Sequence, residues 1–229
     1  MARKKKNTAE EDEIVGKNWQ EGELIETFKL KPLIEPSLLM QEWLHTETVV
    51  FDVVEQSIFD KVLKKAVKDL KGWSEEDLKM KFISVILDLG YMTQDDKAIS
   101  YFDKTISGVV EGTKLTVKSD FMLAKGIMNI HKEPYFHFQE YKPNKNPKGD
   151  SMAQLIEAFL IGQTKNTKPI PLYGVEIVGR IWTFIIMDGK EYCISKAFES
   201  TQRNDLLQII AILRKFRDIL ERHLSNTSI

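Results

Sequence analysis

The sequence predicts a mixed α/β domain with a helical N-terminal extension. Two shifts of apolar period and one aromatic strand predict it. Apolar residues are only weakly periodic from Asn18 to His45, recur mostly every three or four positions from Val49 to Leu89, and then every second position from Ile99 to Ile127. Helical spacing returns after Asp150 and again after Asn204. Between these lies Tyr135–Lys142, a strand with aromatic residues on both faces, as expected of an interior strand. The order is helix, hairpin, strand, helix, further strands and a closing helix.

Composition bounds the function. At 229 residues, 42% hydrophobic and 29% charged, the chain can bury one good core. Its net charge of -1 gives no global field for a nucleic acid, so such a partner needs a local patch. Cys193 is the only cysteine, which excludes an internal disulfide and a thiolate zinc cluster. With no signal segment and no apolar run near 18 residues, no membrane association and a cytoplasmic location are expected.

In chain order, residues 1–15 read as a disordered, charged tail. Residues 16–72 form the helical extension. Pro32 and Pro36 interrupt its first half, and Ser37 caps a short helix through Leu44. Val49–Leu70 is a helix with Phe51, Val54, Ile58, Val62 and Ala66 or Leu70 as its stripe; Lys61, Lys64, Lys65, Lys68 and Lys71 crowd its second half. Residues 73–229 form the main domain. Ser74 caps a helix with Glu75, Glu76 and Asp77 in its first turn and a stripe of Leu78, Phe82, Val85, Ile86 and Leu89. Tyr101–Val110 and Lys114–Leu123 pair around Glu111-Gly112-Thr113. In the second of these strands Leu115, Val117, Ser119 and Phe121 share one face and Asp120 lies on the other, where an exposed strand enters the interior. In the next strand Phe136, Phe138, Glu140 and Lys142 share a face. A helix follows from Asp150 to Gln163, then strands at 172–178, 181–187 and 190–195, with Asp188-Gly189 as a hairpin turn.

Glu140 and Lys142 interrupt an otherwise apolar strand face. Partly buried charge is costly unless it is paired or coordinated. Asp120 stands at the entrance of the preceding strand. Two carboxylates and an amine so placed suit phosphodiester hydrolysis, which needs an activated water and neutralised phosphate charge. Mg2+ takes oxygen ligands, keeps several waters and needs only one or two carboxylates. Asp120 and Glu140 are the expected metal ligands, with the backbone carbonyl of Tyr141 as a third. Lys142 could orient or deprotonate the water or stabilise the phosphate. Gln154 could steady that lysine or touch the phosphate.

Asp120-Phe121-Met122-Leu123, Phe138-Gln139-Glu140-Tyr141-Lys142-Pro143 and Gly149-Asp150 to Gln154-Leu155 together resemble the PD-(D/E)xK nuclease superfamily, over roughly residues 74–194. The resemblance implies a restriction-endonuclease-like αβββαβ core with a central mixed sheet flanked by helices. It implies that Asp120 and Glu140 bind Mg2+, with Mn2+ as an alternative, and that Lys142 is catalytic. It also implies a metal-binding Glu on the first core helix, best matched by Glu76 with Glu75 and Asp77 as alternatives, and a role for Gln154. Ser119 stands where the family pattern expects Pro.

The expected function is a metal-dependent nuclease acting on DNA. The alternative is a catalytically silent nucleic-acid-binding or protein-interaction module on the same fold. A homodimer through the closing helix or Asn18–Leu44 is a further expectation. The four histidines show no metal-ligand spacing, although His137 shares the strand of Glu140. Lysines between Lys142 and Lys168 could face a nucleic-acid backbone, or simply water. Neither a nucleotide-binding glycine pattern nor a Ser/His/Asp elbow occurs.

Overall fold

The computed structural model describes residues 18–95, 98–143 and 149–225. The N-terminal tail therefore lies outside the described residues, as does most of the lysine-rich loop after Pro143. The chain opens with α1 (Glu21–Phe28), β1 (Lys31–Pro32), α2 (Leu38–Leu44) and α3 (Val53–Asp69). Next, α4 (Glu75–Leu78) passes through a π-helical turn, Lys79–Ile83, into α5 (Ser84–Leu89). Then come β2 (Ile99–Val110), β3 (Thr113–Ile127), β4 (Ile130–Lys142) and α6 (Ser151–Lys165). The chain closes with β5 (Leu172–Val178), β6 (Ile181–Asp188), β7 (Glu191–Ile194), β8 (Phe198–Glu199) and α7 (Arg203–Ser225).

Among the described residues there is one mixed sheet in the order β1-β7-β6-β5-β4-β3-β2, with β8 beside β6. The strands β2, β3 and β4 are antiparallel; α6 then crosses over so that β5 runs parallel to β4. Two cores cover the faces. On one, α2, α3, α4, α5 and α7 pack through Trp43, Phe59, Leu78, Ile86, Ile209 and Phe216. On the other, α6 and α1 pack through Ile156, Phe159, Leu24 and Phe28. The central mixed sheet flanked by helices is thus as expected.

Local chemistry accounts for the element ends. Ser37 accepts from the Met40 amide, and Ser74 from the Asp77 amide. Asp52 caps α3 with a reciprocal bond from Glu55, and Asp150 caps α6 through the Ala153 amide. The β2–β3 turn is the pair Glu111-Gly112, both at positive φ, a conformation that matches the twist of a two-residue hairpin.

Several sequence expectations are corrected. Helix α3 starts at Val53, and its buried residues are Phe59, Val62 and Ala66, while Val54 is exposed. Glu21–Phe28, in a stretch of weak periodicity, is helical because Leu24 and Phe28 bury against the α6 layer. The strand alternation also changes phase twice. Leu115 and Val117 pack on the α6 side, but so do Met122 and Ala124, so the phase turns across Ser119-Asp120. Opposite this step, Asp103 of β2 adopts φ 51 and leaves the ladder between the Phe102–Phe121 and Lys104–Ser119 pairs. In β4, Leu123 pairs with His137 and Ala124 with Tyr135, leaving Phe136 as the extra residue of a bulge. Phe136 therefore joins the core opposite that of Phe138.

The α6 layer lies close against the sheet. A Cβ on Gly174 would stand 2.6 Å from Phe159 Cζ and 2.8 Å from the Phe138 carbonyl oxygen. Gly174→Ala should therefore destabilise the fold by about 1–3 kcal/mol in urea denaturation, with loss in the slope-independent midpoint. Glu157 of α6 is buried, its carboxylate accepting from the Thr116 amide, and burial pushes its pKa up to about 7. The folded state holds a proton that the unfolded chain releases near its ordinary 4.5. Stability should therefore fall as pH rises from about 4.5 through 7, and Glu157→Gln should remove that part of the slope.

Candidate active site

The ladder between β3 and β4 ends at the pair Phe121–Gln139. Beyond it the strands part, and the Asp120 side chain enters the gap. Its Oδ2 accepts from the Tyr141 backbone amide at 2.7 Å. Its Oδ1 accepts from Lys79 Nζ, also at 2.7 Å. Ser119, where the family pattern expects Pro, is buried and donates to the Phe121 carbonyl at 2.9 Å, inside the same step of the strand.

Glu140 and Lys142 follow on β4, continuing the face of Phe138. Glu140 is 3% exposed, and Lys142 Nζ donates to its Oε1 at 2.6 Å. Burial and the charge of Asp120 push the Glu140 pKa up to about 8, against the opposing pull of Lys142. Burial likewise raises Asp120 above the usual carboxylate range, although Lys79 and the Tyr141 amide pull it down. The effect of the Asp120 charge on Glu140 places the two acids in one desolvated region. Asp120, Glu140, the Tyr141 backbone and Lys142 are thus brought together.

The helix acid differs from expectation. Glu76, the best match by position, is exposed. Glu75 faces the site instead, pairing with Lys79 at 3.0 Å and acting electrostatically on both Asp120 and Glu140. Asp77 turns away to pair with Lys81. Gln154 lies in the first turn of α6, near the Gly149 backbone. Its Oε1 is buried and has no hydrogen-bond partner among the described residues. His137 lies on the opposite face of β4, against Phe216 at a centroid distance of 4.8 Å. Full burial pulls its pKa down to about 3, so it is a neutral core residue.

Two polar residues near the site escape sequence reasoning. Lys79 lies one helical turn after Glu75, so a Glu-to-Lys pair at that spacing was the available signal. Glu176 of β5 is in register with Glu140, accepts from Ser151 Oγ at 2.5 Å, and is raised by burial despite that bond. It interrupts an apolar strand in the same way as Glu140. The basic ridge of α3 points outward, since Lys61, Lys64, Lys65, Lys68 and Lys71 are all exposed. Lys165 and Lys168 are also exposed; Lys145 and Lys148 lie outside the described residues.

Among the described residues, no group of three or more His, Cys, Asp or Glu side chains is arranged to hold a metal ion. No helix among them is long and apolar enough to cross a membrane. No family model matches the chain, and no curated protein matches it. Among solved structures, a chain of a cryoEM DrdV–DNA complex is similar over 71% of this chain, with 11% sequence identity and a TM-score of 0.39. This chain spans 14% of that one.

The site's electrostatics can be read by titration. Lys142→Met removes a charge that holds Glu140 down, so the Glu140 carboxyl should titrate above about 8. Asp120→Asn removes a charge that pushes it up, so Glu140 should then titrate below about 8. Carboxyl carbon shifts followed by NMR across pH check both. Shifts in the same direction for the two variants would contradict the geometry.

Proposed function

We propose that this chain is a divalent-cation-dependent nuclease of the PD-(D/E)xK type, with a restriction-endonuclease-like core and DNA as its substrate. The observation that carries the reading is the meeting of Asp120 and Glu140 at the parted ends of β3 and β4, with Lys142 on Glu140. The order from α4 to β5, helix, three antiparallel strands, crossover helix and parallel strand, supports it.

The donor set suits a hard cation. Two desolvated carboxylates that repel each other gain from a shared positive charge, and both present oxygen. Asp120, Glu140 and the Tyr141 carbonyl would hold Mg2+ or Mn2+. Such an ion, when bound, polarises the phosphate and lowers the pKa of a bound water. The protein supplies the rest. The Asp120–Tyr141 bond fixes one carboxylate against the strand backbone, so it needs no reordering when substrate arrives. In this reading Lys142 aligns an attacking water or neutralises charge building on the phosphate oxygens. Gln154, with its buried oxygen unpaired, stays an orienting group for substrate or water rather than a partner of Lys142.

The second reading, a silent module on the same fold, is favoured by one feature. Both carboxylates already hold a lysine, so the site is partly neutralised without a metal. Cleavage assays separate the two readings. Single- and double-stranded DNA and RNA are incubated with Mg2+ or Mn2+, alongside Asp120→Ala and Lys142→Ala. DNA cleavage should appear in wild type, stop with a chelator, and fall by about 100-fold or more in each variant. Equal trace activity in all three proteins would defeat the catalytic reading.

A further inference from the structure

Lys79 is the least expected member of the site. It opens the π-helical turn between α4 and α5, a distortion that recurs at functional sites. Its side chain is 14% exposed, and its ammonium meets three carboxylates: Asp120 at 2.7 Å, Glu75 at 3.0 Å and Asp103 at 3.6 Å. These come from three elements, α4, β2 and β3. Asp103 reaches the group from the residue at positive φ that leaves the β2 ladder. Two local irregularities thus converge on one cation. An ordinary surface ion pair needs neither.

From this geometry we propose that Lys79 is a resident counter-ion of the metal site, and that a divalent cation must compete with its ammonium for Asp120. The inference rests on the nuclease reading above, because it concerns the same carboxylate. Lys79 acts through Asp120 and is therefore a positioning residue. With the lysine in place, Asp120 can be buried without a metal, since its charge is compensated. The same contact opposes a second cation at the same oxygen by direct repulsion. Glu75 then has a defined role as the alternative seat for the ammonium: when a cation takes Asp120, Lys79 keeps a partner one helical turn away. This differs from a helix acid that binds the metal itself.

The test is calorimetric titration of the full chain with MgCl2 and MnCl2 at low ionic strength. Wild type is compared with Lys79→Met, Lys79→Gln and the double variant Lys79→Met/Asp120→Asn. Both single variants should bind the cation more tightly, by about tenfold, because a repelling unit charge is gone. The double variant lacks the contested carboxylate and should lose the gain, whereas a merely structural lysine would leave the affinity of the two single variants unchanged. Melting temperatures supply a second readout: Mg2+ should raise the Tm of Lys79→Gln more than that of wild type. Equal cation affinity in wild type and single variants would overturn the inference and leave the metal site standing. Absence of cation binding in every protein would overturn both. Should a single variant be unfolded alone, saturating Mg2+ should restore its folding, and failure of both single variants to recover would also overturn the inference.

Discussion

The bond from the Tyr141 amide to the Asp120 carboxylate decides the shape of the site. Where β3 and β4 part, backbone donors lose their ladder partners, and a buried donor without a partner is costly. The carboxylate takes the place of the missing strand carbonyl at 2.7 Å. The strands can therefore stay apart inside a buried region. Lys79 reaches Asp120 in that opening, and Glu140 and Lys142 pair on the strand that leaves it. Without an acceptor at position 120, the cheaper arrangement would be a closed ladder and no site.

Charge accounting explains the rest of the local arrangement. Asp120, Glu140, Glu75 and Asp103 bring four acids to the region, while Lys79, Lys142 and Lys118 answer them, the last by pairing with Asp103 at 3.2 Å. The acids outnumber the amines, and burial amplifies the imbalance. Burial first, and then the neighbouring acids, raise the carboxyl pKa values of Asp120 and Glu140. Near-neutral net charge across the whole chain hides this local excess, so bulk composition is a poor guide to what the site attracts.

Much of this was legible in the sequence because it rests on periodicity and on charge placed where apolar residues belong. The Asp120, Glu140 and Lys142 grouping follows from such anomalies, and the chain order around α6 and the caps Ser37 and Ser74 follow from periodicity and its breaks. What was hidden depends on tertiary contact. The bulge at Phe136 and the phase change at Ser119-Asp120 flip faces that strict alternation keeps in step. Both arise from pairing with a neighbouring strand. Position favours Glu76 over Glu75, and only the helix rotation relative to β3 turns Glu75 toward Lys79 and leaves Glu76 exposed. Helix α1 has little periodicity of its own and is held by docking: the Glu21 amide donates to Asp150, and Tyr192 donates to the Glu21 carboxylate.

The two rims of the sheet have different capacities for growth. One ends in β1, two residues long, where Pro32 has no amide hydrogen to offer. The other ends in β2, twelve residues long and broken at Asp103, with no strand on its outer side among the described residues. An extended segment from another molecule can lengthen the sheet far more readily along β2. Such a guest would lie beside Asp103, whose carboxylate reaches Lys79. Strand addition at that rim would therefore press on the charge balance of the cleft, whereas crowding at the β1 rim would leave it untouched.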